Sequence, residues 1–324
     1  MRYGLPYKGS KNSIAKWIIS QLPSAETFVD LFFGGGAVTH AALLSGKYKR
    51  FIINDIDARL PKLFLECAYG KHTVDNHPEW ISREDFHRLK DSDAYVALVW
   101  SFGNNGKDYI YGEDIEQFKH DYHEAVYFGD LSGLRRYGYK LTPSTEKTVY
   151  GRYLDYQRQI KQQMPNIQLE VATRQIKIES LQRLQSLQSL QRLQSLQSLQ
   201  SYGTTYENVP IPPNSLIYCD IPYSDTDCGG YWGGDFDHDA FYEWALQQDN
   251  IFISEYKMPM NFVEIANIEK TVLCGAQNTN TATERLYTNR RTYDRMSQRQ
   301  KDVIASNLAT QISLFDYAFN PYQD

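Results

Sequence analysis

The sequence predicts an α/β protein built on a mixed, largely parallel sheet flanked by helices, and three observations carry that expectation. An apolar run, TFVDLFF from Thr27 to Phe33, breaks at Gly34, Gly35 and Gly36, and a helical stretch follows from Ala37 to Leu44. A second apolar run, RFIIN from Arg50 to Asn54, closes on Asp55. Strand, glycine turn, helix, strand is the opening of a doubly wound sheet. Two further short runs come late, SLIYC from Ser215 to Cys219 and NIFIS from Asn250 to Ser254, with a helical Phe241 to Gln247 between them. The sheet is therefore expected to draw on both ends of the chain.

Other elements follow in order. Ile14, Trp17, Ile18 and Leu22 recur at helical spacing and predict a helix from Ser13 to Leu22. From Lys71 to Asn166 the texture turns aromatic, polar and irregular, which predicts an inserted, mostly helical domain. From Leu181 to Ser201 run seven Leu-Gln-(Ser/Arg) triplets. A three-residue step turns about 300° on an α-helix, so the leucines precess and make no fixed stripe. A 3₁₀-helix would align them, but long 3₁₀ runs are uncommon. Leu, Gln and Arg favour helix. The repeat is expected to be a helical insertion without chemistry, its leucines offering at most an oligomerisation surface. The expected organisation is a sheet domain from 1–70 and 203–324, an inserted domain over 71–166, and a repeat insertion over 181–201.

A length of 324 residues with 42% hydrophobic residues is enough for a large α/β core. No apolar run approaches the roughly 20 residues a membrane span needs, and MRYGLPYKGSK lacks the apolar stretch of a secretory signal. Cys67, Cys219, Cys228 and Cys274 show neither a CxxC nor metal-ligand spacing, and read as reduced thiols of a cytoplasmic protein with no metal. A net charge of −5 argues against non-specific nucleic-acid binding by the whole surface. Locally the balance reverses. Between Leu131 and Gln162 seven basic residues, Arg135, Arg136 and Arg152 among them, stand against Glu146 and Asp155, with five tyrosines interspersed. Such a stretch suits either a phosphate-contacting surface or a solvated, tyrosine-rich loop region.

Three constellations carry chemistry. Asp30-Leu31-Phe32-Phe33-Gly34-Gly35-Gly36 puts glycines after a strand, where backbone can approach a ligand and a helix N-terminus offers free N–H groups. This turn could serve a dinucleotide, a phosphate or S-adenosylmethionine. Thr39 stands where the dinucleotide fingerprint needs its last glycine, which weighs against NAD. Asn54-Asp55 ends the next strand, where a carboxylate can accept both ribose hydroxyls. Cys219-Asp220-Ile221-Pro222-Tyr223 follows the SLIYC strand and brings together a carboxylate, a carbonyl and an aromatic face. That trio suits a planar exocyclic amine. The Asp220 carboxylate and the Ile221 carbonyl can each accept one amine hydrogen and localise the nitrogen lone pair, while Tyr223 stacks on a base taken out of the duplex.

Phe32-Phe33-Gly34-Gly35-Gly36 resembles the FxGxG cofactor motif, and Asp220-Ile221-Pro222-Tyr223 the DPPY motif, of amino-methyltransferases. Their order, with a recognition region between, resembles the Dam-like (D12 class, alpha group) DNA adenine-N6 methyltransferases. Pro6-Tyr7-Lys8-Gly9-Ser10-Lys11 is similar to that family's KWAGGK segment. Phe102-Gly103-Asn104-Asn105-Gly106 and Gly151-Arg152-Tyr153 are similar to its aromatic-Asn-Gly and glycine-aromatic segments. The resemblance spans Arg2 to about Tyr287. It implies a Rossmann-like S-adenosylmethionine-dependent methyltransferase sheet and a monomer acting on double-stranded DNA, with room for a cognate restriction endonuclease. It further implies cofactor contacts from Tyr7, Lys11, Asp30, Phe32, Gly34, Gly36, Asp55 and Asp220, and catalysis by Asp220, Ile221, Pro222 and Tyr223. DNA contacts are expected from Asn104, Asn105, Arg135, Arg136 and Arg152. Tyr7 stands for the family's Trp, and Ile221 for the first proline of its motif. Methylation of cytosine N4 or of a protein glutamine, and a silent DNA-binding relative, are the alternative readings.

Overall fold

The computed structural model describes residues 2–163, 176–223, 236–274 and 278–319. Cys228 and residues 164–166 of the expected inserted domain lie outside them. The chain forms two compact units. One comprises Met1–Ser13, Gly34–Ala37 and Lys62–Leu193, the other Ile14–Phe33, Val38–Pro61 and Gln194–Asp324. Among the described residues no helix is long and apolar enough to cross a membrane.

The second unit holds a seven-stranded sheet: β1 (Thr27–Asp30), β2 (Arg50–Asn54), β3 (Leu199–Tyr202), β4 (Ser215–Asp220), β5 (Ile251–Glu255), β6 (Phe262–Cys274) and β7 (Asn278–Asn289). Their order across the sheet is β3-β2-β1-β4-β5-β7-β6. The first five are parallel, with Phe28 opposite Phe51 on one side and Leu216 on the other. β7 runs antiparallel to β5, and β6 and β7 pair antiparallel with one irregularity between Glu264 and Ala266. The four predicted strands have apolar central runs because a parallel sheet is covered on both faces. β1 and β5 are buried at every position, and β4 at all but Asp220. Val29, Ile52, Ile217, Cys219, Ile253 and the helix residues Phe241 and Ala245 form one core around them. That helix begins at His238, earlier than the expected Phe241, because the Asp237 carboxylate caps it on the Ala240 amide. The helix expected over Ser13 to Leu22 is Ala15–Gln21. The β6–β7 hairpin had no counterpart in the sequence reading.

The other unit is helical among its described residues. Arg83–Leu89, Ala94–Val99, Glu113–Phe128, Ser132–Arg136, Val149–Gln163 and Ile176–Ser186 surround buried Phe86, Trp100 and Tyr122. The tyrosines of the basic stretch divide here. Tyr139, Tyr153 and Tyr156 are buried, and the Tyr156 hydroxyl accepts from the Ser144 amide at 3.1 Å. The surface reading of those three gives way to a packing role, because a tyrosine ring buries large apolar area once its hydroxyl finds a partner.

The triplet repeat departs furthest from expectation. It is α-helical to Ser186, a 3₁₀-helix over Leu187–Arg192, a short helix over Gln194–Gln197, and then the edge strand β3. Leu181, Leu184, Leu187 and Leu190 are fully buried and Leu196 nearly so. The leucines do form a buried face. The switch to 3₁₀ geometry restores the alignment that an α-helix loses, since residues three apart eclipse there. In β3, Leu199 lies opposite Phe51 of β2, so the last triplet belongs to the sheet. A separate, fully helical insertion and a leucine oligomerisation surface are both replaced by core packing.

Candidate active site

Open parallel sheets bind ligands beyond the carboxyl ends of their strands, where the strand order reverses. Here that point lies between β1 and β4, and each strand ends in a carboxylate. Asp30 closes β1 and Asp220 closes β4, while Asp55 follows β2. Asp30 is 2% exposed. Its Oδ2 accepts from the Thr39 hydroxyl at 2.6 Å, and its Oδ1 is buried with no hydrogen-bond partner among the described residues. Burial raises its pKa to about 7, and the negative charges of Asp220 and Asp55 push the same way. Three carboxylates thus act on one another at the carboxyl end of the parallel strands. An acceptor held in that state suits an incoming ammonium or hydroxyl.

Asn54 differs from its neighbour. Its side-chain amide donates to the Leu31 and Thr204 carbonyls at 3.0 Å each and accepts from the Thr204 amide at 3.1 Å. It ties the ends of β1, β2 and the chain after β3 together. Asp55 is half-buried and accepts from the Asp57 amide at 2.9 Å. Phe32 packs its ring 5.6 Å from each of Tyr206, Phe236 and Phe241.

The Asp-Ile-Pro-Tyr turn is held by groups that its motif does not contain. Ile221, where the family motif has proline, is 2% exposed and lies in the core with Val209 and Phe241. The Pro222 carbonyl accepts from His238 Nε2 at 2.8 Å. The Tyr223 hydroxyl donates to the carboxylate of Glu284, a fully buried residue of β7, and the ring lies 4.3 Å from that of Tyr256. Burial and the charges of Asp220 and Glu284 push the Tyr223 phenol far above its usual range, so it stays protonated and can donate. Neither His238 nor Glu284 was legible as a site residue. No signal in the sequence marks either, since Glu284 lies in a stretch of mixed polar and apolar residues.

In the helical unit, Gly34 and Gly36 adopt φ of +48° and +66°, where a side chain is strained. A Cβ at Gly35 would lie 2.7 Å from the Tyr7 Cβ, so Tyr7 packs directly on the turn. Lys11 is buried in a single 3₁₀ turn, Lys11–Ser13.

The residues expected to touch DNA are largely engaged with their own chain. Asn104, at φ +55°, donates to the Leu98 carbonyl at 2.7 Å. Asn105 accepts from the Lys107 and Asp108 amides and donates to the Asp108 carboxylate. The two asparagines shape a loop that leaves Phe102 63% exposed. Arg152 donates to the Val126 carbonyl at 2.7 Å and the Lys147 carbonyl at 3.2 Å. Arg135 and Arg136 are exposed, touching the Leu141 carbonyl and the Asp121 carboxylate at 3.3 Å.

A five-stranded parallel sheet extended by an antiparallel hairpin, with acidic residues at its strand ends, defines a Rossmann-like methyltransferase. Residues 7–243 match the family model of the D12 class N6 adenine-specific DNA methyltransferases, and the chain belongs to that family. The match takes in Tyr7, the glycine turn, Asp55 and the Asp220–Tyr223 turn, and leaves out Glu284. No curated protein matches the sequence. The activity of the family is N6 methylation of adenine in DNA.

Proposed function

We propose that this chain transfers the methyl group of S-adenosylmethionine to adenine N6 within a specific double-stranded DNA sequence. The observation that carries the reading is the pair of carboxylates, Asp30 and Asp220, on either side of the strand-order reversal, with an Asp30 oxygen that is buried and has no hydrogen-bond partner among the described residues. Within the sheet unit Asp30 suits the cofactor's ammonium and Asp55 its ribose hydroxyls; the glycine turn of the helical unit, taken by itself, allows a close approach of backbone to it. When bound, the cofactor supplies an electrophilic methyl on sulfonium. Asp220 and the Ile221 carbonyl accept the two hydrogens of the target amine, which frees the nitrogen lone pair from the ring. Tyr223, anchored through its hydroxyl, presents a face for the extrahelical base. The remaining task is in-line alignment, which positioning alone accelerates greatly. Of the three arginines expected at phosphates, the exposed Arg135 and Arg136 are the proposed contacts, and Arg152, which donates to two main-chain carbonyls, is proposed to act within the fold.

Single-turnover transfer of labelled methyl to duplex DNA, with the product base identified by mass spectrometry, tests this. The expected product is N6-methyladenine, and Asp220→Ala should lose about 10²–10³ in rate, as for loss of a preorganised polar contact. Parent-level transfer by Asp220→Ala, or another product base, overturns the assignment.

A further inference from the structure

The triplet repeat contains two arginines, Arg183 and Arg192, where the other triplets carry serine. They behave differently. Arg192 is exposed. Arg183 is half-buried and turns its guanidinium onto the start of the chain, donating from Nη2 to the Tyr3 carbonyl at 3.0 Å and from Nε to the Gly4 carbonyl at 3.2 Å. Its helix cannot shift to follow the contact, because Leu181 and Leu184 on either side are fully buried. Burial and the neighbouring charge of Arg2 lower its pKa to about 10, so the cation persists at neutral pH.

The segment it holds lies against the glycine turn. Gly4, at φ +69°, sits so close that a Cβ there would be 2.3 Å from the Gly35 carbonyl oxygen and 2.7 Å from the Ala37 amide nitrogen. The Leu5 amide donates to that same Gly35 carbonyl at 2.7 Å, and Leu5 is fully buried. Two residues on, Tyr7 packs on Gly34 and Gly35. The Tyr3 amide donates to Asn12 Oδ1 at 2.6 Å, closing the strap over the turn that carries Lys11. A line of direct contacts therefore runs from Arg183 through Tyr3–Leu5 to the glycine turn and Tyr7.

We propose that Arg183 is a positioning residue for the cofactor: by clamping two carbonyls of the N-terminal strap it seats Tyr7 on the glycine turn. The proposal rests on the reading of that turn as the S-adenosylmethionine site. A planar guanidinium spans two carbonyls with fixed geometry, which a lysine ammonium does not reproduce. The low-complexity repeat would then contribute one specific residue to cofactor affinity.

The test uses the full chain and variants Arg183→Ala, Arg183→Lys, Arg192→Ala, Tyr7→Ala and the double variant Arg183→Ala/Tyr7→Ala. The readouts are melting temperature, S-adenosylmethionine affinity by calorimetry, DNA affinity, and single-turnover rate at saturating cofactor. Arg183→Ala should weaken cofactor binding on the order of tenfold, the worth of a charged hydrogen-bonded contact, with the saturated rate and DNA affinity nearly unchanged. Arg183→Lys should fall between, and Arg192→Ala should match the parent. In the Tyr7→Ala background the arginine change should add little, because its effect passes through that ring. Parent-like cofactor affinity in Arg183→Ala overturns the role of Arg183 alone. A parent chain that binds no S-adenosylmethionine overturns the cofactor reading and this proposal with it. Loss of folding in both Arg183 variants, or full additivity with Tyr7→Ala, makes Arg183 a general structural residue and also overturns it.

Discussion

The acidic strand ends and the basic helical stretch were conspicuous in the same way, as charged residues gathered in one part of the chain. Their situations differ. At the carboxyl end of the sheet Asp30 is wholly buried, keeps an oxygen without a partner among the described residues and holds its proton to about pH 7. In the stretch from Leu131 to Gln162, Arg152 closes on two main-chain carbonyls, Arg158 on Asp155, and Arg136 on Asp121. Three of the five tyrosines there are buried. A ligand site needs polar groups whose capacity the fold leaves unmet, and that quality depends on partners more than on charge. The carboxyl end of the sheet has it at a defined point. The basic stretch has it only where side chains reach solvent.

The largest expected effect, loss of transfer in Asp220→Ala, applies at the carboxyl end of the sheet. At the other region Arg152→Ala should act on stability. Val126 lies in the last turn of the helix Glu113–Phe128, whose final carbonyls have no partner within the helix, and Arg152 satisfies one of them. Its removal should cost about 1–2 kcal/mol, read as a lower urea midpoint, with the salt dependence of DNA binding unaltered. A flattened salt slope at unchanged midpoint would make Arg152 a phosphate contact and dissolve the contrast.

A smaller effect is expected from pH at Asp30. Its carboxyl holds a proton to about 7 in the fold against an ordinary 3.8, so the stability that proton confers is full below about pH 4 and is lost as pH rises through 7. Asn at this position does not titrate. The unfolding free energy of Asp30→Asn, taken relative to the parent, should therefore climb between pH 4 and 7 and level off above. A flat difference across that range would mean that Asp30 is ionised in the fold. The smallest effect belongs to the exposed arginines. The double variant Arg135→Ala/Arg136→Ala should reduce the slope of log K against log salt by about one to two, equally for all DNA sequences. No change in slope would leave that surface without a DNA role.

Much of the sheet was readable because parallel strands buried on both faces appear as apolar runs, and β2 matched its expected bounds. The β6–β7 hairpin was not. Its strands mix polar and apolar residues with a register irregularity, so neither reads as an apolar run or as a clean alternation. The glycine turn and the Asp-Ile-Pro-Tyr turn were legible because their residue types are demanded by local geometry. Glu284 was not legible. It lies more than sixty residues from Tyr223 in the chain, and only the placing of β7 beside β5 brings it within reach.

By itself the sequence determined where the first strand begins and where the second begins and ends, which residues could accept an amine or a ribose, and the family to which those motifs belong. These are local properties, set by side-chain type, apolar periodicity and the need for glycine at positive φ. Only the tertiary structure decided which polar groups remain available, which tyrosines pack inside, and what the repeat becomes. Identical Leu-Gln-Ser triplets form α-helix, 3₁₀-helix and strand within twenty-one residues. Local propensity is the same in each triplet and so cannot choose among them. The neighbours that bury each leucine, and for Leu199 the open edge of β2, make that choice.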